Sequence, residues 1–324
     1  MSEMMRVAVA GLTQGHVWGL IDGWAQQPGV EMVAVADATP LLERARDRFA
    51  RAYTDWREML VRESPDIVLA TADNRTSAQI AIEAMRHGAH VMVEKPMAAD
   101  LPDATAMLQT ARATGRMLMI NWPVRWNPAF YALVERARAG EFGQIYHLRF
   151  RIGHAGPREI GCDPHFVRWL YDAHLNGGGA SIDFGSYGAM LSAYLLGMPE
   201  QVYGIRGVFT KQESVPDDNA VLLRYPRATA VLEATWSQVG TDGSGNPILY
   251  GTDATVTVLE GKLRIHRRGE EVRWEEPPPL PEGERNPAEY FLRCIHQNRP
   301  PSGMLSPEIG HMAQQILSAL FAGG

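Results

Sequence analysis

Short apolar runs alternating with helical patterns constrain the first half of this chain more than any other feature. The run "RVAVA" breaks at Gly11 and gives way to Val17, Leu20, Ile21 and Trp24 at helical spacing. "EMVAVAD", "DIVLATAD", "HVMVEKP" and "RMLMINW" repeat the theme. Between them lie the helical stretches "LLERARDRFARAY", "SAQIAIEAMRHG" and "LPDATAMLQTARATG", the second closing on Gly88 as a C-cap. Strands that are apolar throughout are buried on both faces, which implies a parallel sheet covered by helices on either side. Right-handed crossovers wind such a sheet outward in both directions and leave ligands at the carboxyl ends of its strands. The spacing therefore predicts an α/β first domain over residues 1–122, a doubly wound (Rossmann) parallel sheet.

What stands at those strand ends then matters. The turn "GLTQGH" follows the first strand, where the start of a helix offers N–H groups and a partial positive charge to an anion. It departs from G-x-G-x-x-G, the pattern that lets a backbone approach a dinucleotide pyrophosphate, with Thr13 at the second glycine position and His16 at the third. Gly11, Thr13, Gln14, Gly15 and His16 are the candidate pyrophosphate residues. Asp37 ends the second strand, about twenty residues beyond the turn, where a carboxylate accepts from the adenosine ribose hydroxyls and repels a 2′-phosphate. The pattern favours NAD over NADP. Thr71, Ala72 and Asp73 close the third strand, and Asn121 and Trp122 close the fifth, on the nicotinamide side. Taken alone, the degraded glycine pattern is also compatible with a turn that holds nothing.

Glu94, Lys95 and Pro96 stand just past the fourth strand. Lysine is costly to desolvate, so one at the end of a central buried strand points to the ligand crevice, whereas a solvated lysine is the plainer alternative. The proline fixes the turn, and an X-Pro bond is one that adopts the cis form where a side chain must be aimed.

After Pro128 the pattern changes. A helix over "AFYALVERARAGEFG" leads to the strand "QIYHLRFRIGH", and a helical stretch "GASIDFGSYGAMLSAYLLG" follows Gly177-Gly178-Gly179. The β-rich runs "EQVYGIRGVFT", "NAVLLRYP", "TAVLEATWSQ", "ILYGTDATVTVLEG" and "KLRIHRRGEEVRW" alternate in the manner of antiparallel strands. Two helices, over "PAEYFLRCIHQ" and after Pro307, close the chain. The second domain, 123–324, is therefore expected to be α+β with a large, mostly antiparallel open sheet. Asp183 and Tyr187, four apart on one predicted helix, are expected to share a face.

The Gly11 turn, "VAVAD", "LATAD", "HVMVEKPMA", "INWPVRWNPAF" and "NGGGASIDFGSYGAM", in this order, closely resemble the glucose–fructose oxidoreductase, inositol dehydrogenase and rhizopine-catabolism (Gfo/Idh/MocA) family. The similarity continues through "DNAVLLRYPRATAVLEATW" and "LYGTDATVTV" and so covers nearly the whole chain. The resemblance implies an NAD-dependent oxidoreductase acting on a secondary alcohol or ketone of a sugar or polyol. It implies Lys95, Asp183 and Tyr187 as the catalytic residues. Tyr187 stands where many members carry histidine and the tyrosine-bearing branch carries tyrosine. A free tyrosine has a pKa near 10, and an ammonium beside it favours the phenolate. The resemblance also implies homodimer or homotetramer contacts through the open sheet. A lyase or glycosidase using transient oxidation without net cofactor turnover is the alternative, and a non-catalytic sensor is the third class.

The segment "GHAGPREIGCDPHFVRWLYDAHLNGGG" is dense in possible ligands: His154, Cys162, Asp163, His165, Asp172 and His174. No pair has a zinc spacing, so no metal is expected. His154, His165, Arg168 and Trp169 are candidates to line a carbohydrate site with Lys95, Asp183 and Tyr187. Arg125 is a further candidate, with an inter-domain ion pair as its alternative. The net charge of −6 is spread along the chain with no basic run, which argues against a nucleic-acid partner. The N-terminal apolar run is too short for a signal peptide and no stretch is long enough to span a bilayer. Cys162 and Cys294 fit no paired motif, so a cytoplasmic protein with reduced thiols is expected.

Overall fold

A computed structural model describes residues 4–322. In chain order, its first part runs β1 (Met5–Ala10), α1 (Val17–Ala25), β2 (Val30–Ala36), α2 (Leu41–Ala45), β3 (Arg51–Tyr53) and α3 (Trp56–Glu63). There follow β4 (Ile67–Ala70), α4 (Asn74–Arg86), β5 (His90–Glu94), α5 (Leu101–Thr114) and β6 (Leu118–Asn121). The middle holds α6 (Pro128–Arg138), β7 (Ile145–Gly153), α7 (Pro164–Leu170), α8 (Ala173–Asn176), α9 (Ala180–Asp183) and α10 (Gly185–Leu196). Then come β8 (Gln201–Gly207), β9 (Asp218–Arg224), β10 (Thr229–Thr235), β11 (Ile248–Gly251), β12 (Ala254–Leu259), β13 (Lys262–Arg267) and β14 (Arg273–Glu275). The helices α11 (Pro287–His296) and α12 (Pro307–Ala322) end the described chain.

The chain divides into two compact units. The first comprises Met1–Asn121, Cys162–Gly177 and Gly283–His311, and the second Trp122–Gly161, Gly178–Glu282 and Met312–Gly324. Where the sequence places a single boundary after residue 122, the first unit also draws in the two later segments that carry α7, α8 and α11.

In the first unit six parallel strands lie in the order β3-β2-β1-β4-β5-β6. The order reverses between β1 and β4, the switch point at which a doubly wound sheet opens a crevice. β4 and β6 are buried along their whole length, as their unbroken apolar runs require. The α1 stripe of Val17, Leu20, Ile21 and Trp24 is buried, and Trp24 meets Phe291 of α11 edge-on at 6.5 Å. The stretch "LLERARDRFARAY" is not one helix. After α2 and a 3-10 turn at Arg46–Arg48, Phe49 turns to extended backbone and buries its ring, and β3 joins the sheet edge beside β2. Buried Glu63, bound by Arg51 at 2.6 Å and by the Tyr53 hydroxyl, holds that edge.

The second unit is an eight-stranded sheet in the order β14-β13-β12-β11-β7-β10-β9-β8. Every pairing is antiparallel except β7 with β10. Alternate residues such as Leu148, Phe150, Leu223, Leu232, Val256 and Ile265 are buried. α10 packs on that face so closely that a Cβ at Gly188 would stand 3.1 Å from Leu232. α10 is buried nearly all round, as its apolar, small-residue sequence dictates. The other face leaves Tyr203, Ile205 and Leu222 exposed, Ile205 by 70%.

Candidate functional site

The turn after β1 is built by the close approach of two strand ends. Gly11 has φ 92°, and a Cβ there would stand 2.4 Å from the Ala72 backbone nitrogen, so only glycine admits both the conformation and the contact. Hydrogen bonds lock the approach. Thr71 N–H donates to Ala10 O (2.9 Å), the Thr71 hydroxyl to Gly11 O (2.6 Å) and Gln14 N–H to Thr71 O (3.1 Å). Buried Gln14 accepts the His16 N–H on Oε1 at 2.6 Å. Asp73 caps α4 by accepting from Thr76 N–H at 2.8 Å.

Asp37, buried at the end of β2, accepts Leu12 N–H on Oδ2 (2.6 Å), and Thr39 N–H (2.7 Å) and hydroxyl on Oδ1. A carboxylate offers roughly four acceptor positions. Oδ1 thus carries two donors from Thr39, and Oδ2 a single one from Leu12.

Thr13 and His16, the two departures from the glycine pattern, are each held. The Thr13 carbonyl accepts the Trp169 indole N–H at 3.2 Å. His16 Nδ1 lies 2.9 Å from Glu94 Oε1, and Asn121 Nδ2 donates to Glu94 Oε2 at 2.5 Å. Buried Glu94 thus ties the ends of β5 and β6 to the start of α1. That helix has no side-chain cap and no acid in its first turn, so its end keeps its positive character. Gly15 faces the Phe166 ring, 3.0 Å from where a Cβ would be. Lys95 is 3% exposed, its N–H bonds Asn121 O at 3.1 Å, and the Lys95–Pro96 peptide is cis.

In the second unit Asp183 and Tyr187 are both buried, but no single helix carries them. α9 ends at Asp183 and α10 begins at Gly185. The Asp183 carbonyl takes the Ser186 hydroxyl (2.9 Å), and the Tyr187 N–H turns to Phe184 O (3.1 Å). Phe184 between them keeps right-handed helical dihedrals (φ −94°, ψ −35°), and its N–H still donates to Ala180 O at 2.9 Å. Trp122 meets the Tyr187 ring edge-on at 5.7 Å, and its buried indole N–H has no acceptor among the described residues. The Trp236 indole N–H reaches Asp183 Oδ2 at 3.3 Å. The His154 ring stands 4.7 Å from Phe184, the residue at the break. Its Nδ1 accepts Gly156 N–H at 2.9 Å, which leaves the proton of the neutral ring on Nε2.

The histidine-rich segment is divided between the two units. His154 belongs to the second unit, and His165, Arg168 and Trp169 to the first. His165 lies in the first turn of α7 behind the Asp163 cap, Arg168 is exposed, and the Trp169 N–H serves the Thr13 turn. Arg125 is buried with its guanidinium 3.9 Å above the Tyr131 ring and 5.1 Å from that of Trp126, a cation–π packing. Sequence reasoning missed Phe166 and Trp236. Neither carries a motif, and each reaches its partner only through the fold. No group of three or more His, Cys, Asp or Glu side chains that could hold a metal occurs among the described residues, and no described helix is long and apolar enough to cross a membrane.

A glycine turn closed on the switch point of a parallel 3-2-1-4-5-6 sheet, with an acid ending the second strand, defines a dinucleotide-binding α/β protein. Residues 5–122 match a family described as oxidoreductases with an NAD-binding Rossmann fold, and residues 130–257 match the Gfo/Idh/MocA C-terminal domain. The chain belongs to the Gfo/Idh/MocA oxidoreductase family. D-glucoside 3-dehydrogenase of Escherichia coli K12 is 30% identical over 203 residues, 61% of this chain and 56% of that enzyme's length. The NADP-dependent scyllo-inositol 2-dehydrogenase of Bacillus subtilis is 25% identical over 260 residues, 79% of this chain and 76% of that one. Levoglucosan dehydrogenase, solved with NADH and levoglucosan, superposes with a TM-score of 0.82 at 20% identity, covering 98% of this chain and 96% of that chain.

Proposed function

We propose that this chain is an NAD(P)-dependent oxidoreductase, with NAD preferred, that acts on a secondary alcohol or ketone of a sugar or polyol. The observation that carries the reading is the Gly11 cradle, where a Cβ would collide with Ala72 while Asp37 holds Leu12 from the other side. That closeness is what a turn needs to bring backbone N–H groups to a pyrophosphate. The residues fit the dinucleotide. Gly11, Thr13, Gln14, Gly15 and His16 would hold its phosphates, Asp37 its adenosine ribose, and Thr71, Ala72 and Asp73 the adjoining strand end. Glu94, Lys95, Asn121 and Trp122 would hold the nicotinamide half. The bound nicotinamide ring supplies the hydride acceptor or donor.

The chain's own residues supply the rest. Tyr187 takes the proton of the substrate hydroxyl in oxidation and returns it in reduction. Lys95 stabilises the negative charge developing on that oxygen and favours the phenolate form of the tyrosine. Asp183 accepts a hydrogen bond from the substrate and orients it. His154, Arg125, His165, Arg168 and Trp169 are the remaining candidates for the carbohydrate side. His154, packed at the Asp183–Tyr187 break, has the strongest support, and Trp169 is better read as a support of the cofactor turn. The two relatives and the structural neighbour are dehydrogenases by name, which favours net oxidation over the lyase or glycosidase alternative. The uncovered sheet face around Tyr203, Ile205 and Leu222 suits a homodimer or homotetramer, in a cytoplasmic protein.

A screen of sugars, inositols and their keto forms with NAD+ and NADP+, read at the NADH absorbance, tests the reading. Product analysis for bond cleavage accompanies it. Substrate-dependent reduction of NAD+ supports net oxidation, and cleavage without cofactor turnover would move the chain to the alternative class.

A further inference from the structure

We propose that Trp236 is a positioning residue, which holds the Asp183 carboxylate in place through its indole N–H. The inference rests on the role proposed above for Asp183. Trp236 is fully buried, directly follows β10, and is paired with a carboxylate that is itself buried. Burying a carboxylate is costly unless donors replace the water it has lost. A tryptophan ring in a packed core has few rotamers open to it, so its N–H is a fixed donor. Together they restrict which way the carboxylate of Asp183 can turn.

The support for Trp236 is itself built. Its backbone N–H donates to the Asp217 carbonyl at 2.7 Å, and the Asp217 N–H donates to Gly207 O at 3.0 Å. The Asp217 carboxylate, with no exposure to solvent, gathers five donors. Phe209 N–H reaches Oδ1 at 2.9 Å. On Oδ2 it takes Thr210 N–H and hydroxyl, both at 2.9 Å, Lys211 N–H at 2.7 Å and the Ser237 hydroxyl at 3.1 Å. One buried acid thus fastens the loop after β8 to the residues after β10. The same segment reaches the other end of α9. Pro216 O accepts Ala180 N–H at 2.9 Å, and a Cβ on Gly179 would stand 2.3 Å from that oxygen. Residues 215–217 and Trp236 therefore grip α9 at its first amide and at its final side chain. Sequence distance hides the arrangement, because Trp236 lies 53 residues from Asp183.

The test is a double-mutant cycle in the full chain, with kcat and KM measured for the sugar identified by the screen. Trp236→Phe removes the N–H and keeps an aromatic ring. It is expected to lower kcat/KM about 10- to 100-fold, as for one hydrogen bond to a charged group, with NADH affinity, measured by fluorescence titration, changed less than threefold. In an Asp183→Ala background the same substitution should cost nothing further. Replacing the indole by the isosteric benzothiophene, sulfur for N–H, repeats the comparison without a cavity and serves if the Phe variant does not fold. An equal loss with and without the Asp183 carboxylate overturns the proposal, because the tryptophan would then be purely structural. Unchanged kinetics on loss of the N–H alone also overturns it. If Asp183→Ala is itself as active as the wild type, the role of Asp183 falls and the proposal with it. A large loss at Asp183 with none at Trp236 sinks only the tryptophan.

Discussion

Gly11→Ala is the sharpest perturbation of the cofactor turn. An alanine at φ 92° pays the left-handed penalty of about 1–2 kcal/mol, and its Cβ would lie 2.4 Å from the Ala72 nitrogen and 2.5 Å from the Ala72 Cβ. Both are backbone or backbone-fixed atoms that no rotamer change can move, so the turn and the end of β4 must separate, at a cost of about 1–3 kcal/mol for overpacking. The sum, about 2–5 kcal/mol, corresponds to a fall of about 5–15 °C in the unfolding midpoint of a domain this size. Separating the strand ends also breaks the Thr71–Gly11 and Gln14–Thr71 bonds, so NADH affinity should fall more than tenfold. Gly19, on the exposed side of α1 with nothing within 4 Å of an added methyl, is the control. Gly19→Ala should raise stability by about 0.5–1 kcal/mol through helix propensity and leave NADH affinity unchanged. Thermal unfolding followed by circular dichroism and NADH fluorescence titration read the two effects. If Gly11→Ala unfolds and binds NADH like the wild type, the reasoning from the close approach is wrong.

Asp37→Ser should weaken NAD binding and strengthen NADP binding, so that the ratio of the two dissociation constants moves at least tenfold. An unmoved ratio would remove Asp37 from cofactor selection. Burial pushes the Asp217 carboxyl upward, but the N–H groups of Phe209, Thr210 and Lys211 and the Thr210 hydroxyl outweigh it and hold the group below its usual range. A depressed carboxylate stabilises the fold above its unfolded value and loses that contribution as pH falls through the folded one. Asp217→Asn should therefore cost about 3 kcal/mol at neutral pH, with the gap to wild type closing below about pH 4 in denaturant titrations. A gap that is constant with pH would contradict this. Ile205→Glu, placed on the uncovered sheet face, should shift the sedimentation coefficient toward that of a monomer without loss of secondary structure, and an unchanged coefficient would place any interface elsewhere.

How much of this was legible in the sequence differs between the two units. Five of the six strands of the first sheet declare themselves because they are mostly buried on both faces and their short apolar runs are bounded by turn residues and helical stretches. The arginine-rich segment 41–53 reads as one helix because its residues are good helix formers, while the cause of β3 lies elsewhere, in Phe49 finding the core and Glu63 collecting Arg51 and Tyr53. The break between α9 and α10 is equally silent. Ser186 competes for the Asp183 carbonyl, a choice that spacing does not reveal. Glycine positions showed where backbones must approach, but not that Trp169 and Phe166, more than 150 residues later, would press on the turn. The residues proposed for the cofactor could be named because a parallel sheet collects its strand ends. Residues that hold other residues, such as Trp236 and Asp217, carry no such mark.

The central claim is that Lys95 serves the reaction itself, beyond its part in holding the nicotinamide half. NADH titration and sugar-dependent NADH production, measured side by side in the wild type and in Lys95→Ala, test it most directly. The expected result is a dissociation constant within a few-fold of wild type and a turnover reduced by about 10²–10⁴. Lys95→Ala turning over at the wild-type rate, or losing turnover only because NADH no longer binds, would contradict it.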